Sequence, residues 1–233
     1  MDLDLGTLRQ RLEAVRGRIA EAAARSGRPA TAVTLIGVTK TVEAERVRAS
    51  VEAGLTDLGE NRVQEAQAKI AEVGRNRVRW HLIGHLQRNK AGRAVELFDR
   101  IHSVDDVGVA EALSRRVAVS GGSLPVLVEV NVSGEASKFG VAPADLEPLL
   151  DRVASLAGLR LDGLMTVGPW VQRAEEARAG FARLRELRDR AQQRLGLALP
   201  ELSMGMSGDF EVAVEEGSTM VRVGTALFGP RPA

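Results

Sequence analysis

The sequence contains no cysteine and no tyrosine, and aromatic residues make up only 3% of its 233 residues. The absence of cysteine excludes disulfides, thiolate nucleophiles and cysteine-ligated metal sites. No stretch of about 18 apolar residues occurs, so we expect no transmembrane helix. Residues 1–6 carry two aspartates and lack the basic start and apolar core of a signal peptide. We therefore expect a cytoplasmic protein.

A strong charge of either sign is also missing. The chain has 32 basic and 31 acidic residues, a formal net charge of +1, and no long basic run. This balance gives no reason to expect a polyanionic partner, so we expect neither nucleic-acid nor membrane binding. Apolar residues, in contrast, make up 44% of the sequence, which is enough for one substantial core.

The hydrophobic pattern begins with a helix and then alternates. Residues 5–26 have apolar residues at three- and four-residue spacing, which predicts an amphipathic helix that ends at Gly27 and Pro29. Short apolar runs typical of strands follow at 34–39, 55–59, 78–84, 100–104, 124–132, 159–167, 202–206 and 219–224. Helical segments are predicted between them at 43–53, 62–73, 89–97, 107–119, 143–156, 175–195 and 210–216.

Eight such alternations favour a parallel sheet that is buried on both faces. Eight strand–helix repeats close a barrel, so we predict a single (β/α)8 TIM-type barrel with an additional N-terminal helix, and one domain over residues 1–233. A doubly wound open sheet is the alternative fold. It is disfavoured because no GxGxxG turn follows the first predicted strand.

Polar residues follow nearly every predicted strand. In a barrel of this kind the C-terminal ends of the strands and the loops after them form the functional site. The positions there are Lys40, the turn at 59–61, His81, His85, Ser103, Asn131, Met165, Ser207, Gly224 and Thr225. Lys40 ends an apolar strand, where partial burial would lower the pKa of its amine and prepare it to attack a carbonyl. A solvated lysine at a strand end is the alternative interpretation.

Two later segments point to a phosphate. Residues 203–209 are rich in small residues, and Ser207 precedes a short predicted helix, so its hydroxyl and nearby amides suit a dianion. A simple N-cap role for Ser207 is the alternative. Gly224 and Thr225 lie after the last strand, where barrels of this type commonly bind phosphate, and Arg222 alternates with valines, which predicts that it faces the barrel interior.

Several motifs occur in one order along the chain. They are 37–40 (GVTK), 59–65 (GENRVQE), 80–90 (WHLIGHLQRNK), 131–133 (NVS) with 137–138 (SK), 163–165 (GLM), 202–207 (LSMGMS) and 217–229 (GSTMVRVGTALFG). In these motifs the chain resembles the pyridoxal phosphate (PLP) homeostasis proteins, which are single-barrel relatives of the N-terminal domain of alanine racemase. The resemblance extends over nearly the whole chain, from about residue 5 to 231.

The resemblance implies a cofactor and a set of contacts to it. It implies that PLP forms a Schiff base with Lys40, and that neither a catalytic residue nor a metal ligand need be assigned. The other cofactor-binding residues that it implies are Ser207, Gly224 and Thr225 at the phosphate, Arg222 at the pyridine nitrogen, and Asn61 and Met204 in the ring pocket.

The chemistry expected of such a site is limited. PLP withdraws electrons best when its pyridine nitrogen is protonated, and an arginine opposite that nitrogen cannot serve as the usual carboxylate partner. The related racemases use a tyrosine as second base, and this chain has none. We therefore expect a carrier or buffer that acts in intracellular PLP (vitamin B6) and amino-acid homeostasis, rather than an enzyme with robust activity.

Three further hypotheses stay open. One is a racemase or lyase of low activity that uses Lys40 as base, with His81 or His85 as a second base. Another is a module that delivers PLP to PLP-dependent apo-enzymes. Lys138 is a candidate second amine during release of PLP, and Lys90 is another, with a solvated loop lysine as the alternative interpretation of each. Because the second domain of the racemases is missing, we expect a monomer.

Overall fold

The computed structural model describes residues 5–169 and 171–230, so Trp170, residues 231–233 and most of the N-terminal segment considered above lie outside the described residues. Eight parallel strands form a closed barrel in sequential order, which confirms the predicted fold class. The strands are β1 Thr34–Val38, β2 Asp57–Glu60, β3 Arg79–Leu82, β4 Arg100–Val104, β5 Leu124–Glu129, β6 Leu159–Met165, β7 Glu201–Met206 and β8 Met220–Val223.

Helices cover the outside of this barrel. They are α1 Leu5–Arg25, α2 Ala44–Glu52, α3 Val63–Val73, α4 Ala91–Leu97, α5 Val107–Ser120, α6 Leu146–Ser155, α7 Arg178–Leu195, α8 Phe210–Glu215 and α9 Thr225–Phe228. None of the helices in the described part of the chain is long and apolar enough to cross a membrane.

The additional helix α1 fills a gap in the helical layer. Its apolar face, from Leu8 to Ala23, is buried. It packs against α2, α8 and α9, and α8 has only six residues and covers little of the sheet by itself. Two ion pairs with α8, Arg18 with Glu211 and Arg25 with Glu215, fix its register on the surface.

The structure shortens the fifth predicted strand. The sequence predicts a strand over 124–132, but β5 ends at Glu129. Val130 forms an isolated bridge to Val141, and the side-chain amide of Asn131 donates to the carbonyl of Glu135. The chain therefore leaves the sheet although Val130 and Val132 are β-branched and apolar, because the following loop folds back onto it.

Strand parity divides the barrel into two chemical regions. On β8, Val221 and Val223 belong to the hydrophobic core between sheet and helices, whereas Arg222 points to the barrel interior and contacts Ser203 and Thr166. The helix-facing side of the sheet is thus apolar, and the barrel interior carries polar groups. We call the C-terminal ends of the strands the mouth and their N-terminal ends the basal end.

Candidate functional site

Lys40 lies at the mouth, directly after β1, and is half-buried. The next residue, Thr41, has φ of 62°, and it is the one non-glycine residue with positive φ in the described ranges. A β-branched residue in this region is strained, and such strain persists only where the surroundings impose it. The backbone next to Lys40 is therefore held in a conformation that its sequence does not favour.

A buried ion pair between Lys69 and Glu60 holds the backbone just before Lys40. The Lys69 ammonium donates to Glu60 Oε1 at 2.8 Å and to the carbonyl oxygen of Thr39 at 2.5 Å. The Thr39 hydroxyl donates to the same Glu60 oxygen at 2.5 Å. Burial raises the pKa of Glu60, against the opposing effect of the bonds from Lys69 and Thr39. These contacts fix the residue that precedes Lys40.

Lys69 was not identified from the sequence, although a signal exists. It lies on the buried face of α3 together with Ala66, Ile70 and Val73, at the spacing of an apolar stripe. A lysine in such a stripe needs a buried partner. The partner is Glu60, the last residue of β2.

Two backbone amides converge on Ser207. The amides of Gly224 and Ala226 donate to Ser207 Oγ at 3.2 and 3.3 Å. A Cβ on Gly224 would lie 3.4 Å from Val38, so this loop packs against the end of β1, two residues before Lys40. Amide and hydroxyl donors that converge in this way fit a phosphate group. Thr225, the first residue of α9, is exposed beside them.

Arg222 supplies a positive charge inside the barrel just below this cradle. Its guanidinium donates to Ser203 Oγ at 2.6 Å and to the carbonyl oxygen of Thr166 at 2.8 Å. Burial lowers the pKa of Arg222 to about 10, while the charges of Glu129 and Asp209 oppose that shift. The side chain therefore stays protonated at neutral pH and can only donate hydrogen bonds.

Glu129 is a buried carboxyl group that the sequence analysis did not select. It ends β5 with 4% of its surface exposed. Burial, and to a smaller extent the charge of Asp105, raises the pKa of Glu129 to about 7, and Arg222 opposes this shift. Its signal in the sequence is a single charged residue within the apolar run 124–132.

Asn61 and Met204, the two residues predicted to line the pocket for the PLP ring, lie in different surroundings. Asn61 is half-buried and lines a cavity of about 640 Å³ between the loops after β2, β3 and β5. Met204 is not brought together with the polar groups, since its side chain is buried in the hydrophobic core. It alternates with the inward-facing Ser203 on β7, and its contact with a ring stays a prediction.

The histidines separate into two groups. His81 does not lie at the mouth as expected: it is buried in the barrel interior, where it contacts Asp57 and His102. His85 lies at the mouth, where its ring stacks on Phe139 at 4.1 Å and Nδ1 contacts Asp105 at 3.1 Å. Only His85 is thus placed near the cavity.

The remaining strand-end residues make local contacts. The Ser103 hydroxyl donates to the carbonyl of Gly84 at 2.7 Å, and Met165 is buried. Lys138 donates to Glu135 and to the carbonyl of Gly168 at 2.8 and 3.0 Å, so these contacts hold its amine. Lys90 lines the large cavity.

Comparison with known proteins gives one consistent result. A model of the family "Alanine racemase, N-terminal domain" matches residues 10–232. The pyridoxal phosphate homeostasis protein of Pseudomonas aeruginosa is 46% identical over 228 residues, 97% of this chain and 97% of that protein. The protein of the same name from Aquifex aeolicus is 43% identical over 222 residues, 95% of this chain and 97% of that protein.

A solved structure shows the same architecture. PipY of Synechococcus elongatus, determined with PLP bound, superposes with a TM-score of 0.79 at 44% sequence identity. The alignment covers 91% of this chain and 100% of PipY. The shared fold therefore extends over nearly the whole chain.

Proposed function

Since the chain belongs to the alanine racemase N-terminal domain family and is grouped there with the pyridoxal phosphate homeostasis proteins, we propose that it binds PLP as a Schiff base on Lys40. In this proposal it acts as a carrier or buffer in intracellular PLP and amino-acid homeostasis. The observation that carries the proposal is a pocket at the mouth that is lined by Lys40, Gly224 and Thr225. Ser207 is hydrogen-bonded to the same loop, and the buried Arg222 lies on the strand that leads into it. The PLP-bound structure of PipY supports it.

Each residue has a distinct role in this proposal. Bound PLP supplies an aldehyde that condenses with a primary amine. Lys40 provides that amine, and the Glu60–Lys69 pair holds the backbone before it. Ser207, Gly224 and Thr225 bind the phosphate. Asn61 and Met204 are proposed to line the ring pocket.

Arg222 determines how far the chemistry can go. The guanidinium has no acceptor and keeps its proton at neutral pH. Placed opposite the pyridine nitrogen, it would donate to that nitrogen and leave it unprotonated. An unprotonated pyridine stabilises negative charge on a substrate poorly. This favours a carrier over an efficient enzyme.

One observation favours a second candidate function, a PLP-dependent amino-acid racemase or lyase of low activity. A carboxyl group that titrates near neutral pH is suited to general acid–base catalysis, and Glu129 is such a group at the mouth. Racemisation or lyase turnover by the wild type above that of a Lys40→Ala control would support this function. Turnover equal to the control would exclude it.

The linkage to Lys40 can be tested directly, because the chain has only four lysines: Lys40, Lys69, Lys90 and Lys138. After addition of PLP and removal of the excess, we expect a visible imine absorption band in the wild type. Borohydride reduction and peptide mass spectrometry should then place PLP on the peptide with Lys40. Lys40→Ala should lose the band, and Lys138→Ala, a matched lysine replacement at the mouth, should keep it.

Either of two results would contradict this assignment. A band that persists in Lys40→Ala, with PLP on another peptide, would move the linkage elsewhere. A wild-type protein that retains no PLP at all would mean that the barrel shares only its fold with the PLP-binding relatives.

The proposal also covers the location, the oligomeric state and the acceptor proteins. We propose a cytoplasmic monomer, with residues 1–233 as one PLP-binding barrel, and PLP-dependent apo-enzymes as acceptors. Analytical ultracentrifugation tests the oligomeric state, since a monomer should sediment with a mass of 25.0 kDa. A transfer assay in which free PLP is trapped measures direct delivery, and acceptor activation no faster than from free PLP would remove the acceptor role.

A further inference from the structure

A chain of hydrogen bonds crosses the barrel interior from the basal end to Arg222. Asp57, the first residue of β2, contacts His81 Nε2 at 3.0 Å. His81 Nδ1 contacts His102 Nε2 at 2.9 Å, and His102 Nδ1 contacts Ser203 Oγ at 2.9 Å. Arg222 donates to the same Ser203 oxygen at 2.6 Å. We call these five residues the interior chain.

All members of the interior chain are shielded from solvent, so their hydrogen bonds are strong and costly to leave unmade. At the basal end, however, the first members of the interior chain lie next to a cavity. There a cavity of about 300 Å³ is lined by Asp57, Arg79 and His81 among other residues. The interior chain thus connects this basal cavity to Arg222, the charged residue below the phosphate cradle.

Only one direction of donation satisfies both ends. Burial alone would raise the pKa of Asp57, but hydrogen bonds from His81, Arg79 and Thr56 hold it well below its usual range, so this carboxylate only accepts. At the other end, a guanidinium only donates. Burial lowers the pKa of both His81 and His102, so each ring is neutral and has one N–H and one accepting nitrogen.

The tautomers follow from these constraints. His81 donates from Nε2 to Asp57 and accepts at Nδ1. His102 must then donate from Nε2 to His81 and accept at Nδ1. The Ser203 hydroxyl donates to His102, which leaves its oxygen lone pair for Arg222. The reverse direction would place a lone pair of His81 against the Asp57 carboxylate.

We infer that the interior chain positions Arg222 for the pyridine nitrogen of PLP, with Ser203 and His102 as the positioning residues. The inference rests on the proposed function. Ser203 and the carbonyl of Thr166 are the two acceptors that hold the guanidinium. Because an arginine has five N–H donors, these contacts fix its plane and leave donors for the ring.

The test compares two buried serines that neighbour each other in the fold. Ser203 bonds to His102 and Arg222, whereas the Ser218 hydroxyl bonds only to backbone oxygens, those of Leu202, Met204 and Met220. Both side chains are fully buried. Ser203→Ala and Ser218→Ala therefore remove the same atom from similar surroundings, and only the first interrupts the interior chain.

We expect Ser203→Ala to weaken PLP binding about tenfold and to shift the visible spectrum and the pH midpoint of the imine band, because Arg222 loses a charge-assisted partner. His102→Leu should do the same, and His102→Gln, which keeps a side-chain hydrogen-bonding group, should restore part of the affinity. Ser218→Ala should leave the spectrum and its pH midpoint unchanged even if it lowers stability.

The failure modes are separable. If Ser203→Ala and His102→Leu bind PLP with the affinity and spectrum of Ser218→Ala, the inference is wrong and the proposed function stands. If the wild type forms no imine on Lys40, the proposed function fails first. Nitrogen NMR gives a check without cofactor, since the chain has three histidines: Nδ1–H on neutral His81 or His102 would overturn the stated direction.

Discussion

The two ends of the barrel treat buried carboxylates in opposite ways. At the basal end, Asp57 accepts from Nε and Nη2 of Arg79 at 2.7 Å as well as from His81 and Thr56, and its pKa is held low. At the mouth, burial raises the pKa of the carboxyl groups of Glu60, Asp105, Glu129 and Asp209.

The satisfaction of hydrogen bonds differs in the same sense. Among the buried carboxylate oxygens of the described residues, Glu60 Oε2 and Asp105 Oδ1 have no partner within the protein, and both belong to the mouth. The backbone strain at Thr41 is at the mouth too. The basal end is thus built for stability, and the mouth retains strain and unmatched polarity, as expected where a ligand binds.

The largest effect that would test this comparison is expected at the basal end. Asp57→Ala removes the carboxylate that accepts from the buried N–H of His81 and from the guanidinium of Arg79. We expect the free energy of unfolding to fall by about 3 kcal/mol, as when one partner of a buried charged network is removed. Denaturant titration measures this change.

An exposed pair provides the control for this experiment. Asp151 pairs with Arg194 at the surface, and Asp151→Ala should change stability by less than about 0.5 kcal/mol. A loss for Asp57→Ala that is no larger than for Asp151→Ala would show that the basal network does not stabilise the fold.

An effect of opposite sign is expected at the mouth. The folded-state pKa of Glu129, about 7, lies above its ordinary value of 4.5, so ionisation of Glu129 opposes folding. The penalty grows as the pH rises from about 4.5 to about 7 and is constant above that. Glu129→Gln should therefore raise the free energy of unfolding at pH 8 by up to about 3 kcal/mol.

The same pair of proteins at low pH gives the control. Below about pH 4.5 the carboxyl group is protonated in both folded and unfolded states, so wild type and Glu129→Gln should have nearly equal stability. A pH-independent difference between them would mean that Glu129 is ionised at no cost, and the contrast between the two ends would then be wrong at this residue.

The fold could be predicted because each strand is a short apolar run between helical segments, and the strand-end positions of Lys40, Ser207 and Gly224 follow from that pattern alone. The interior chain could not be predicted in this way. His102 and Ser203 are separated by 101 positions, and their contact depends on strand tilt and stagger.

Two other features of the site could not be predicted from the sequence, the direction of Met204 and the partner of Lys69. The register between β7 and β8 shifts between Ser203 and Met206, so the inward or outward direction of Met204 cannot be obtained by counting. The pairing of Glu60 with Lys69 joins a strand end to a helix face. A sequence pattern marks Lys69 as unusual but does not name its partner.

The smallest expected effect concerns the strain beside Lys40. Glycine adopts positive φ without a steric cost, so Thr41→Gly should relieve the strained conformation at φ of 62° and raise stability by about 1 kcal/mol. Ala53, with φ of −71°, provides a matched control, because Ala53→Gly gains nothing in the folded state and should lower stability through the entropy of the unfolded chain. If the strain serves to aim Lys40, Thr41→Gly should also release PLP faster than the wild type while it unfolds at higher denaturant concentration. Equal destabilisation by the two glycine variants would mean that the turn after β1 stores no strain, and the mouth would then resemble the basal end in its backbone.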